Sequence, residues 1–142
     1  TTTTIKPTAC PSTWSYSNFT GYCYRSVTTF SGTWMDALTF CRVWGAELAS
    51  VHSLEESLFI TNLVHISETN RTKQTWVGGF TDDLHATCND NRPWNWTDGT
   101  LFDYGKLVYP CAGYGYCLFL YTGNQYTNMF QSWDCYSKMQ QF

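Results

Sequence analysis

Residues 75–80 read TWVGGF, a large ring followed by Val, two glycines and a second ring. The run is too short for an ordinary helix and carries the β-branched and aromatic residues of a buried strand. A Trp beside small glycines in a short strand belongs to packing more often than to recognition. The chain beyond Gln74 continues in this manner. WNWTDG (94–99), CLFLYTG (117–123) and a final segment around Trp133 read as short strands separated by turns.

Upstream the period changes. In TWMDALTFCRVWGAEL (33–48), Trp34, Ala37, Leu38 and Cys41 fall at i, i+3, i+4 and i+7, one face of a helix. Thr33 with Asp36 caps its start and Gly45 stops it. SLEESLFITNLVHI (53–66) is a second helix, with Ser53 and Glu56 as a capping box and Phe59, Leu63 and Ile66 on one face. CPSTWSYSNFTGYCYRSV (10–27) reads as a small hairpin turning at Thr20-Gly21. A bridge between its Cys10 and Cys23 would contribute about 3 kcal/mol. Two helices followed by an irregular β-rich half make an α+β domain, with no internal repeat and no second domain. Residues 1–9, TTTTIKPTA, are too polar to pack and read as the end of a linker or stalk, leaving 10–142 as the domain.

Composition narrows the function. The chain has 142 residues and net charge −3, and its eight Lys and Arg are scattered singly, so no basic stripe exists to neutralise phosphates and nucleic acid is not an expected partner. No apolar run reaches the roughly 18 to 20 residues of a membrane helix, so membrane insertion by this domain is not expected. Aromatic residues make up 18% and charged residues 13%, a balance that suits large rings in the core and on a binding face. Seven cysteines and three sequons, at Asn18, Asn70 and Asn95, point to an extracellular protein, secreted or the ectodomain of a membrane protein. The seventh cysteine lacks a partner within the chain. His52, His65 and His85 are isolated in the sequence and no nucleophile sits in a catalytic signature, so no enzyme is expected. His85 and Cys88 form only half of a zinc pattern.

TWVGGF resembles the Trp-Ile-Gly-Leu core of C-type lectin-like domains. Cys10 and Cys23 stand where the long form of that family has its N-terminal hairpin bridge. Cys41 lies in the first helix, and GAELASVHSLEE (45–56) is similar to the family's Gly-Ala-x-Leu stretch. WNWTDGT looks like its Trp-x-Trp-x-Asp-Gly strand, and CLFLY and WDC (133–135) look like its last strands with their cysteines. The resemblance runs over 10–142 in the family's order. It implies two helices flanking small antiparallel sheets, an irregular long loop region that carries the ligand, and Trp76, Trp96 and Leu118 in the core. It also implies the pairs Cys10–Cys23, Cys117–Cys135 and Cys88–Cys111, with Cys41 pairing with a cysteine just beyond Phe142 and therefore unpaired here. Six cysteines by themselves allow 15 connectivities.

In sugar-binding members a Glu-Pro-Asn or Gln-Pro-Asp triplet and a Trp-Asn-Asp strand hold Ca²⁺ in the long loop. Here Tyr109-Pro110-Cys111 takes the place of the triplet, and Phe130-Gln131-Ser132 that of the strand. From Tyr104 to Phe142 the sole carboxylate side chain is Asp134, whereas Ca²⁺ takes six to eight oxygens with carboxylates supplying most of the charge. Asp82, Asp83, Asp90, Asp98 and Asp103 are the acids a structural Ca²⁺ would use, a disfavoured alternative to their reading as turn caps and solvated acids. No metal or other cofactor is expected. The stretch YPCAGYGYC (109–117) then reads as a former calcium loop lined with rings. Trp94, Tyr104, Tyr109, Tyr114 and Tyr116, with the amide of Asn124, are the expected ligand face. The expected function is recognition of a protein or a glycan without calcium. The alternatives are a Ca²⁺-dependent carbohydrate-binding lectin and a passive structural glycoprotein module.

Overall fold

A computed structural model describes residues 10–67, 74–83, 93–105, 107–108 and 115–142. The chain opens with a hairpin, β1 (Ser15–Tyr16) against β2 (Cys23–Tyr24), tied by the Cys10–Cys23 disulfide. Helix α1 (Trp34–Val43) starts at a Thr33 cap, whose side chain accepts from the Asp36 amide while the Asp36 carboxylate accepts from the Thr33 amide. It ends where Gly45 takes φ +71°, a conformation that favours glycine. Helix α2 spans Leu54–Ser67.

Strands β3 (Gln74–Phe80), β4 (Asn95–Trp96), β5 (Cys117–Tyr121) and β6 (Phe130–Trp133) form an antiparallel sheet in the order β4-β3-β5-β6. It is buried on both faces, so β5 is a continuous apolar run whose alternate side chains feed two cores. Phe119 packs with Trp34, Leu38, Trp76 and Phe142 on the α1 side. Leu118 and Leu120 pack with Ile60, Val64, Trp96 and Phe130 on the α2 side. Trp76, Trp96 and Leu118 are thus core residues, as the resemblance implies.

The glycine pair of TWVGGF lies where the β3–β5 register shifts, between Trp76 and Phe80. A Cβ on Gly78 would meet the Leu48 carbonyl oxygen at 2.8 Å, and one on Gly79 would strike the Leu118 side chain. These glycines let the segment after α1 and the second core close onto β3, with the Gly78 amide donating to the Ala49 carbonyl at 2.9 Å. The last residues close the domain, since Val27 and Phe142 exchange backbone bonds at 2.8 and 3.1 Å.

Helix α2 differs from the expected pattern. Its buried residues include Ser57, Ile60, Thr61 and Val64, while Phe59 and Leu63 are half-buried on the flank. The cause is tertiary: the hairpin covers that flank, with Tyr24 and Phe59 rings 5.3 Å apart and Ser26 Oγ donating to the Leu63 carbonyl. The Ser53 hydroxyl accepts from the Glu56 amide as expected, but the Glu56 carboxylate reaches the His52 amide at 2.6 Å. Its other oxygen accepts from Tyr24 Oη at 3.3 Å.

Candidate functional site

Strands β5 and β6 meet at Cys117 and Trp133, which pair across the ladder. The Cys117–Cys135 disulfide pins the same end. Gly115 passes so close to the Trp133 carbonyl that no side chain fits there, and the next residue's carbonyl accepts from the Thr81 amide at 2.9 Å. This crowded backbone leaves side chains to turn outward. Tyr116 is 39% exposed, Trp133 40% and Tyr136 86%. Tyr136 is held by an Asp134 carboxylate that accepts its amide at 3.0 Å. The Trp133 ring rests on Phe119 at 6.3 Å, so one side of it is supported by core while the other meets solvent.

Of the residues expected on the ligand face, Tyr116 is exposed at this end of the sheet. Trp94 is not: at 8% exposure it packs in the second core beside Phe102, because Trp94, just before β4, and Trp96 within it are both buried on either side of exposed Asn95. Tyr104 is half-buried against the same core, and burial first, with the charge of Glu55 second, raises its phenol above the ordinary range. Asn124 turns its side-chain oxygen to a local turn, its Oδ1 accepting from the Tyr126 main-chain amide at 2.8 Å while its main-chain N–H donates to Thr127 Oγ1 at 3.0 Å. Tyr109, Tyr114, Cys88, Cys111 and Asn70 lie outside the described residues. Asn18 and Asn95 are exposed. Cys41 is a buried free thiol, pushed up to about 12 by burial and, secondarily, by the charge of Glu47.

Trp133 and Tyr136 were not among the expected site residues. The signal for Trp133 is its place two residues before Cys135 at the end of β6, where burial gives way to exposure.

A polar array links the segment after β4 to the start of α2, and no local signal announces it. His52 Nδ1 donates to Asp103 Oδ1 at 2.7 Å, and its Nε2 lies 3.0 Å from Thr100 Oγ1. Thr100 Oγ1 donates to Asp98 Oδ1 at 2.6 Å, and the other Asp98 oxygen accepts from Ser50 Oγ. Burial acts to raise the Asp98 carboxyl, but the bonds from Ser50 and Thr100, with the charge of His52, hold it below its ordinary value. The order carboxylate–imidazole–hydroxyl looks like a nucleophile relay. Its protons say otherwise: Asp98 Oδ1 accepts the single proton of the Thr100 hydroxyl, so that proton is committed to the acid and not to the imidazole. The array is a latch between loops. Asp98, read as a turn cap, also receives the Thr100 amide at 2.9 Å.

Among the described residues, no group of three or more His, Cys, Asp or Glu side chains is placed to hold a metal ion. The positions that stand for the family's acid strand are Phe130, Gln131 and Ser132, all buried in β6.

The sequence model described as Lectin C-type domain matches residues 31–138. The chain is 32% identical over 103 residues to snaclec purpureotin subunit alpha of Trimeresurus purpureomaculatus, covering 71% of this chain and 72% of that protein. Its structure is similar to human lithostathine, with TM-score 0.74 and 25% identity over 94% of this chain and 88% of that one. It is also similar to a calcium-independent type II antifreeze protein, with TM-score 0.68 and 27% identity over 92% of this chain and 88% of that one. With its family match, sheet order and flanking helices, the chain belongs to the C-type lectin domain family.

Proposed function

We propose that residues 10–142 are an extracellular recognition domain that binds a protein or glycan ligand without calcium, through the aromatic face at the Cys117–Cys135 end of the sheet. The observation that carries this reading is the outward set of Tyr116, Trp133 and Tyr136 around that disulfide. Rings fixed on a rigid sheet end offer large contact area at low entropic cost, on a protein hot spot or on the apolar face of a sugar. Tyr109 and Tyr114 belong by sequence to the loop leading into this end and are proposed to extend the face. The donor set argues against calcium: one carboxylate follows Tyr104, and its oxygens cap the turn at Tyr136 and Ser137. The antifreeze neighbour described as calcium-independent shares the fold without that requirement. Disulfides and sequons support an extracellular location.

Screening on immobilised glycans and on displayed extracellular proteins, with and without chelator, tests the reading. Binding that survives chelator and is lost in Trp133→Ala and Tyr116→Ala supports it, and competition by free sugars assigns the ligand class. Binding abolished by chelator supports a calcium lectin instead. A ligand indifferent to both substitutions refutes the aromatic face.

A further inference from the structure

A second pair of exposed rings stands apart from the sheet end, on the turn joining β1 to β2. Phe19 is 67% exposed and Tyr22 is 70% exposed. The turn is closed by the Ser17 amide donating to the Tyr22 carbonyl and the Gly21 amide to the Ser17 carbonyl, both at 2.9 Å. Between these bonds stands Asn18, solvent-exposed while Ser17 beside it is buried. Phe19 follows Asn18 directly, and Tyr22 faces its predecessor across the ladder. Asn18-Phe19-Thr20 is a sequon, so this exposed amide bears the acceptor pattern on the same turn that carries two uncovered rings.

We infer that Asn18 carries an N-linked glycan whose protein-proximal sugar lies on Phe19 and Tyr22 and stabilises the N-terminal hairpin. This rests on the extracellular reading above, since transfer takes place in the secretory pathway. Asn18 Nδ2 attacks the anomeric carbon of a lipid diphosphate-linked oligosaccharide, and a C–N bond forms. The C–O bond to the diphosphate breaks, the diphosphate leaves with the electron pair, and the amide proton goes to a base of the transferase. A pyranose ring has an apolar C–H face, and setting it on exposed rings removes apolar area of both from water. A two-stranded hairpin gains from such cover because it is marginal by itself. The sequon at Asn95 is an internal contrast. That side chain is exposed on β4, but its neighbours Trp94 and Trp96 are buried and offer a sugar no ring.

The test is secretion of the chain from eukaryotic cells, site mapping by mass spectrometry and thermal unfolding. Asn18 is expected to be occupied, and Asn18→Gln to lower Tm by about 2–4 °C. Phe19→Ala with Tyr22→Ala, which keeps the sequon, is expected to lower Tm in the glycosylated chain and to add nothing in the Asn18→Gln background. Trimming to the single protein-linked sugar leaves Tm unchanged, as does Asn95→Gln. A secreted chain with bare Asn18, or ring substitutions that act equally with and without the glycan, overturns the inference alone. A chain that is not exported and is bare at every sequon overturns the extracellular reading with it.

Discussion

The indole Nε1 of Trp34 donates to the main-chain carbonyl of Val77 at 2.7 Å. Val77 lies where the β3–β5 register shifts, so α1 supplies a bond in a stretch where the ladder is irregular. Trp34→Phe keeps most of the ring volume but removes that bond to a buried carbonyl, a cost of about 1–3 kcal/mol. Denaturant unfolding is expected to show a lower midpoint with an unchanged slope.

Gly78 is a second point of close approach. A methyl group there would meet the Leu48 carbonyl oxygen at 2.8 Å and Thr97 Oγ1 at 2.9 Å, and the carbonyl belongs to a backbone that cannot simply rotate away. Gly78→Ala is expected to destabilise by about 1–3 kcal/mol. Thermal unfolding measures this, and an unchanged Tm would mean that the segment after α1 shifts freely.

The loop latch predicts a pH dependence. The Asp98 carboxyl sits below its ordinary 3.8, and so does Asp103, chiefly through its bond from His52. A carboxyl depressed by folding contributes stability above its unfolded pKa and loses it as pH falls through the folded value. Asp98→Asn is therefore expected to lower Tm at pH 7 and to converge with the unsubstituted chain as the pH falls well below 3.8. The effect is modest, because the array is largely open to solvent and screened. Parallel melting curves at the two pH values, with a gap that does not close on acidification, would contradict this account.

Cys41 is expected to be chemically quiet. Its thiol is buried and pushed up to about 12, so little thiolate exists near pH 8. Labelling by an aromatic disulfide reagent at that pH should run on the order of a hundredfold slower than for a free thiol, and recover in denaturant. Rapid labelling of the native chain would show that the packing around α1 opens.

Much of this molecule was legible because its signals are local. Thr33, Asp36 and Gly45 bound α1 through bonds made within a few residues, and the Trp34, Ala37, Leu38, Cys41 face is buried as its spacing predicts. The ordered motifs from TWVGGF to WDC carried the family. Trp94 escaped the same reasoning, since its ring reads equally well as ligand face or core until β4 is paired with β3 and its direction is set. The face of α2 escaped it too, because a helix wrapped by a hairpin on its flank buries more than one stripe.

The His52 array marks the boundary most clearly. Its partners Thr100 and Asp103 lie 48 and 51 residues away in the chain, so no spacing rule links them. By itself the sequence determined the helices, the Thr33–Asp36 cap of α1, the core places of Trp76 and Trp96 and the family, since period, capping and close packing act over short distances. Only the tertiary structure decided which rings face solvent and which acids meet the imidazole. Those outcomes depend on strand register and on which segment covers which, and both are set by contacts between distant parts of the chain.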